Sequence, residues 1–191
     1  MPAPYKYSNA GIGLLSYLLA TASGKTWEDQ VNSEILQPLG MADTTLRPTP
    51  EQRKRLAQGH NRAGQDAPQW PVFASYAAGG LRSTAHDMIS FGEANLGRKE
   101  VNGKPDSAEL IAAVQLAQKP IYPIPNGNEQ AMAWVNNMGG ADPAILKNGG
   151  TAGFGNGIAI YSTKDAVIFI TMNQIGARPV AKGIEILRCL P

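Results

Sequence analysis

The stretch Lys147-Asn148-Gly149-Gly150-Thr151-Ala152-Gly153-Phe154-Gly155 decides how the second half of this chain folds, because it leads directly into two apolar runs. Gly157-Ile158-Ala159-Ile160-Tyr161 and Ala166-Val167-Ile168-Phe169-Ile170-Thr171-Met172 are apolar, largely β-branched or aromatic, and separated only by Ser162-Thr163-Lys164-Asp165. Two such runs around a short polar turn predict an antiparallel hairpin. Residues 144–148 read as a short strand that carries Lys147 towards the hairpin, and residues 131–135 as another. Val180, Ile184, Leu187 and Leu190 recur at helical spacing, so an amphipathic helix closes the chain.

Upstream the signals are helical. Asn9 is placed to cap a helix running from Gly11 to Leu19, apolar almost all round and therefore expected to be buried. Gly24 suits the left-handed position after its end. Thr26 caps a second helix with Trp27, Val31 and Ile35 on one face, closed by Pro38. Thr49-Pro50-Glu51-Gln52 is a capping box with proline at the first helical position, which predicts a helix over 50–57. After a loop-rich stretch over 59–82, Thr84 and Asp87 start a helix with Met88, Phe91 and Leu96 facing inward, and Ser107 opens another. Helices, loops, strands and a final helix, in that order, predict an α+β fold: an antiparallel sheet flanked by helices, with a separate helical region.

Composition narrows the chemistry. The 191 residues, 43% apolar and 17% charged, suffice for a core and exclude a disordered chain. A net charge of +2 with scattered basic residues gives no nucleic-acid or anionic-membrane surface. The 21 glycines and 14 prolines exceed average usage and indicate many turns. A single cysteine, Cys189, excludes an internal disulfide framework and a cysteine-built metal site. His60 and His86 have no ligand-spaced partners, so no metal is expected. Met1 to Tyr7 carry neither the basic nor the apolar region of a signal peptide, and no apolar stretch is long enough to span a bilayer.

Cofactor motifs fail on their spacing. Gly24-Lys25-Thr26 ends like a phosphate-binding loop, but position 19 is Leu where glycine is needed. The glycines over 149–157 miss the dinucleotide pattern because Ile158 takes the last position, and no G-x-S-x-G elbow is present. Two segments remain: Tyr7-Ser8-Asn9 at the mouth of the first helix, and Lys147-Asn148-Gly149-Gly150 ahead of the hairpin. Read blandly, they are a helix cap and a glycine-rich strand entry. Their order, with a hairpin and a terminal helix after them, is what singles them out.

In these segments the chain resembles the superfamily of serine β-lactamases and penicillin-binding proteins, most closely the class C β-lactamases and their esterase and peptidase relatives. Leu36-Gln37-Pro38-Leu39-Gly40-Met41 and Ala78-Gly79-Gly80-Leu81-Arg82-Ser83-Thr84 with Asp87-Met88 extend the likeness over nearly the whole chain. The resemblance implies the C-terminal portion of a β-lactamase/transpeptidase-like fold, with residues 7–120 mainly helix and loop and 130–191 the strands and closing helix. It implies a periplasmic or secreted enzyme without cofactor, acting on a small β-lactam or D-Ala-D-Ala-like substrate through an acyl-enzyme. The family's nucleophile lies in a Ser-x-x-Lys motif upstream of the tyrosine. No serine of this chain has lysine three positions later, so the chain is expected to be inactive alone.

The site residues implied by resemblance are Tyr7 and Lys147 as catalytic groups, with Asn9, Asn148, Gly149, Gly150 and Asn173 around the substrate. Tyr7 is the proton acceptor or relay. A free tyrosine has a pKa of about 10, so action as a base near pH 7 needs roughly 4 kcal/mol of phenolate stabilisation. One cation about 4 Å away at an effective dielectric of about 20 supplies that much before burial opposes it, so a second lysine is called for. Asn9 would donate to a substrate carbonyl, Gly150 would offer a backbone N–H to the oxyanion, and Gly149 would allow close approach. Lys147, Asn148 and Asn173 would face a substrate carboxylate. The family's usual Lys-Thr-Gly is Lys-Asn-Gly here, which removes a hydroxyl from that contact. A D,D-peptidase or esterase of the same superfamily is the nearest alternative. A non-catalytic binding protein is the distant one, for which exposed sheet and helix faces predict poor solubility.

Overall fold

Ser8, not Asn9, caps the first helix. Its Oγ accepts the Gly11 N–H at 3.0 Å, and Asn9 is the first residue of α1 (Asn9–Ser23), which ends at Gly24 with φ +70°. In this computed structural model the described residues are 5–70, 75–98, 100–101, 104–105, 108–124, 127–137, 143–176 and 179–187. The expected burial of α1 is not found. Gly13 and Ser16 are its buried residues, whereas Leu14, Leu15, Tyr17, Leu18 and Leu19 are 46% to 67% exposed. Small side chains let the helix lie close to the Tyr76–Ala78 turn, and the large ones point away.

The next caps form as the sequence requires. Thr26 accepts the Asp29 N–H at the start of α2 (Trp27–Val31), which continues into a wider turn over Asn32–Leu36. Thr49 and Gln52 make the reciprocal capping box, but α3 stops at Lys54 (Pro50–Lys54), short of position 57. The loop-rich stretch holds a small hairpin, β1 (Gly59–His60) with β2 (Asp66–Ala67). Thr84 caps α4 (Ala85–Asn95). A second small hairpin pairs β3 (Glu100–Val101) with β4 (Lys104–Pro105), and α5 spans Ala108–Ala117; Ser107 lies outside the described residues.

One antiparallel sheet organises the rest, in the order β10-β9-β8-β7-β6-β5. Its strands are β5 (Tyr122–Ile124), β6 (Asn128–Gln130), β7 (Val135–Asn137), β8 (Ala144–Gly150), β9 (Gly155–Tyr161) and β10 (Ala166–Met172). Of the expected strand over 131–135, residues 131–134 are instead the turn between β6 and β7, and Val135 alone lies in a strand. The Ala131 N–H donates to the Trp134 carbonyl, and both side chains are buried under the sheet, which sequence alone reads as strand. The β9–β10 antiparallel hairpin forms as expected, pairing Tyr161 with Ala166 and closed by Asp165 at φ +46°.

Period-two alternation on β9 and β10 builds the two faces of the core. Ile158, Ile160, Val167 and Phe169 meet Met88, Phe91 and Leu96 of the α4 segment, with Trp134 stacked 6.1 Å from Phe91. Ala159, Tyr161 and Ile168 make the opposite face, where α6 (Pro179–Leu187) packs. Leu190 lies outside the described residues. A relay of amides ties the helical ends to the sheet: Asn136 Nδ2 donates to the Gln118 carbonyl, and Gln118 Nε2 to the Asn95 carbonyl.

Close seating of α6 depends on Gly157. A Cβ there would stand 2.7 Å from Val180 Cγ2 and 2.8 Å from the Val180 backbone nitrogen, so α6 would have to retreat. Gly157→Ala is expected to cost about 1–3 kcal/mol, read as a lower urea midpoint. An unchanged midpoint would show that the helix adjusts freely.

Candidate active site

β8 runs through the sheet beside β9, with Lys147 opposite Ile158, Asn148 opposite Gly157, Gly149 opposite Asn156 and Gly150 opposite Gly155. Its first residues are buried or half-buried, and Asn148, Gly149 and Gly150 emerge into solvent. No heavy atom lies within 4 Å of where a Gly149 Cβ would be, so a molecule can lie flat against this backbone.

Tyr7, on the segment entering α1, comes to the same place. The Lys147 Nζ lies 5.2 Å from the centroid of the Tyr7 ring, a cation–π contact. The two sequence segments, 140 positions apart, thus meet. Tyr7 is 65% exposed and Asn9 is exposed as well, so the phenol and the amide face solvent on the side of α1 that lacks cover. Asn173 is placed differently: its Nδ2 donates to the Gln58 carbonyl at 3.1 Å and its own carbonyl accepts the His60 N–H. That amide ties the end of β10 to β1.

Burial pushes the Lys147 pKa below its ordinary value of 10.5. In the alkaline range the unfolded chain therefore binds more protons than the folded one, and stability rises with pH there. Below the folded-state pKa both states are charged and the full desolvation cost remains. Lys147→Met is expected to raise the urea midpoint at pH 7, with the gain shrinking as pH climbs towards 10.5. A gain independent of pH would rule out charge burial as its cause.

A cavity of about 290 Å³ adjoins the end of β8, and sequence reasoning did not find it. Trp70, Gly80 and Arg82 line one side, with Thr151, Gly153 and Phe154 from the β8–β9 turn. Arg82 builds this wall: its guanidinium donates to the carbonyls of Leu46, Gly80 and Trp70 at 2.8–3.0 Å. A cation spent on backbone carbonyls has no sequence signature. Arg55, also on the cavity, is paired with Asp43, and its guanidinium holds the Asp43 carboxyl below its usual pKa. Gly59 and Gly153 touch backbone to backbone, where a Cβ on either would come within 3 Å of the other. This contact fixes the turn against β1.

Comparison with known proteins assigns the fold and the family. The Beta-lactamase family model matches residues 3–187. The chain is 27% identical to a β-lactamase of Escherichia coli K12, over 88% of this chain and 51% of that protein. It is 31% identical to the D-alanyl-D-alanine-carboxypeptidase/endopeptidase AmpH of Escherichia coli K12, over 88% of this chain and 45% of that protein. Among solved structures, a class C β-lactamase superposes with a TM-score of 0.87 at 22% identity, covering 97% of this chain and 57% of that one. The chain spans about half, or less, of the length of the curated relatives it matches. No described helix is long and apolar enough to cross a membrane. With the family match spanning nearly all 191 residues and the fold superposing throughout, the chain belongs to the β-lactamase family.

Proposed function

We propose that this chain is the C-terminal portion of a periplasmic serine hydrolase that opens β-lactam amides through an acyl-enzyme. The observation that carries this reading is the contact between the Lys147 ammonium and the Tyr7 ring beside the open edge of β8. A cation there is placed to attract a substrate carboxylate. The nucleophile is a serine of a Ser-x-x-Lys motif supplied by polypeptide outside residues 1–191. Tyr7 moves the proton between that serine and the leaving nitrogen. The Gly150 N–H and the serine N–H polarise the carbonyl, Asn9 orients the amide, and Asn148 binds the substrate carboxylate. The cavity under Trp70 and Phe154 takes the acyl side chain.

The likeness to a D,D-carboxypeptidase, at 31% identity, supports a second reading in which the acyl-enzyme forms on D-Ala-D-Ala peptides. Turnover of a chromogenic cephalosporin by the polypeptide that includes the upstream coding sequence tests the first reading. Multiple turnovers are expected. Acylation by penicillin with very slow release afterwards would favour the peptidase, and activity on short-chain esters alone would defeat both.

A further inference from the structure

We infer that a second cavity, between α2 and the segment over residues 45–49, is a binding site for an uncharged saccharide. The site goes beyond the proposed acyl transfer and does not depend on it.

The cavity has a volume of about 340 Å³, and none of Tyr7, Asn9 and Lys147 lines it. Leu81 lines both this cavity and the one beside β8. Thr45 and Arg82 form the wall between them, exchanging backbone hydrogen bonds of 2.9 Å in both directions.

An uncommon local geometry shapes one side. α2 passes into the wider turn over Asn32–Leu36, where the Gln37 N–H reaches back five residues to the Asn32 carbonyl at 2.9 Å. Such turns are rare and recur at functional sites. Here the turn sets Asn32 and Leu36 on the cavity, Leu36 buried and Asn32 exposed. Among the described residues the Asn32 side-chain amide has no hydrogen-bond partner.

The polar groups decide the ligand. Glu28 and Arg47 are ion-paired on the cavity wall. Asp29 beside them accepts the Thr26 hydroxyl through Oδ2 at 2.6 Å, which leaves Oδ1 open. Thr45 Oγ1 accepts the Arg47 backbone N–H at 3.1 Å and keeps its own hydrogen to donate. With Asn32, the cavity thus offers acceptors, donors and an amide that is both. A sugar hydroxyl donates and accepts at once, and a ring of hydroxyls uses such a mixture fully. A phosphate or an ammonium group would use only half of it. Two carboxylates against one guanidinium also repel an anion. Trp27 supplies the apolar contact: it is half-buried on the cavity, its ring held by Tyr76 at 5.4 Å between centroids and 60° between planes. The C–H face of a sugar ring packs on an aromatic ring of this kind.

Isothermal titration of the polypeptide that includes the upstream coding sequence, with cellobiose and N,N′-diacetylchitobiose as probes, tests the site. At least one probe is expected to bind saturably, with a Kd of about 1 mM or tighter. Asn32→Ala removes an exposed side chain with no protein partner, so the urea midpoint is expected to hold while affinity falls about three- to tenfold. Trp27→Leu is expected to weaken binding at least about tenfold. No saturable binding of either probe below about 20 mM, equal affinity in the parent and Asn32→Ala, or tighter binding of spermidine than of both sugars would overturn the proposal. Labelling with a fluorescent penicillin at saturating sugar keeps the two cavities apart. Unchanged labelling is expected; competition would place the sugar in the cavity beside β8 and overturn the assignment. Sugar binding without any labelling leaves this site standing and removes the proposed acylation.

Discussion

Asp87→Ala is expected to lower stability by roughly 3–5 kcal/mol, which is a large part of the total of about 5–15 kcal/mol typical of a domain. Asp87 is 3% exposed at the start of α4, yet it is not there to face solvent or to pair with lysine. Its Oδ2 accepts the Asp43 N–H at 2.9 Å and the Thr44 hydroxyl at 2.7 Å, and Thr44 Oγ1 in turn lies 2.7 Å from Ser83 Oγ. Alanine leaves a backbone donor and a buried hydroxyl without their acceptor, each a charge-assisted bond worth about 1.5–3 kcal/mol. His86 adds little, since its Nδ1 is 3.5 Å away on an exposed ring. The consequence reaches the cavity, because Asp43 holds Arg55 on its rim. Asp87→Asn keeps one acceptor and is expected to lose less, about 1–2 kcal/mol. Urea midpoints for the two variants check this, and an alanine variant as stable as the parent would mean that the Asp43–Thr44 turn is held by something else.

Asp87 also shows where sequence reasoning succeeds. Thr84 three positions before it is a cap that needs no knowledge of the fold, and so are Thr26 and Thr49. The β9–β10 hairpin was equally legible, because a five-residue and a seven-residue apolar run around one short turn allow few arrangements. The short strands were not. β5 has a proline at its centre and β6 is Asn-Glu-Gln, whose pairing is decided by the sheet they join. Trp134 and Ala131 read as strand because they are apolar, whereas their burial comes from a turn folded under the sheet. The apolar character of α1 was read as burial, and the structure buries its glycine and serine side.

Of the candidate site, the Tyr7–Lys147 contact could be anticipated and the cavity wall could not. Tyr7 and Lys147 were named through the family resemblance that the order of their segments suggested, and their side chains do meet. The Arg82 wall was invisible, since its partners are carbonyls brought together from positions 46, 70 and 80 by the fold. Asn173 is a different case: the residue type suits a carboxylate, but its amide donates to Gln58.

Tyr7→Phe, made in the polypeptide that shows turnover, is expected to reduce kcat/KM by about 10²–10⁴ while leaving stability within about 0.5 kcal/mol. The substitution is informative because of what it keeps. The ring beneath Lys147 remains, so the cation–π contact at 5.2 Å survives and the strand edge is undisturbed. Only the hydroxyl is lost, and any large loss of rate belongs to proton transfer. The pH profile of the parent then separates two roles. A phenolate base loses activity as pH falls through its pKa, because the proton occupies the site of the incoming one. A neutral phenol that donates to the leaving nitrogen loses activity as pH rises. The limb that disappears in Tyr7→Phe is the one the hydroxyl creates. A variant within threefold of the parent at every pH would remove Tyr7 from the chemistry and leave it as a platform for Lys147.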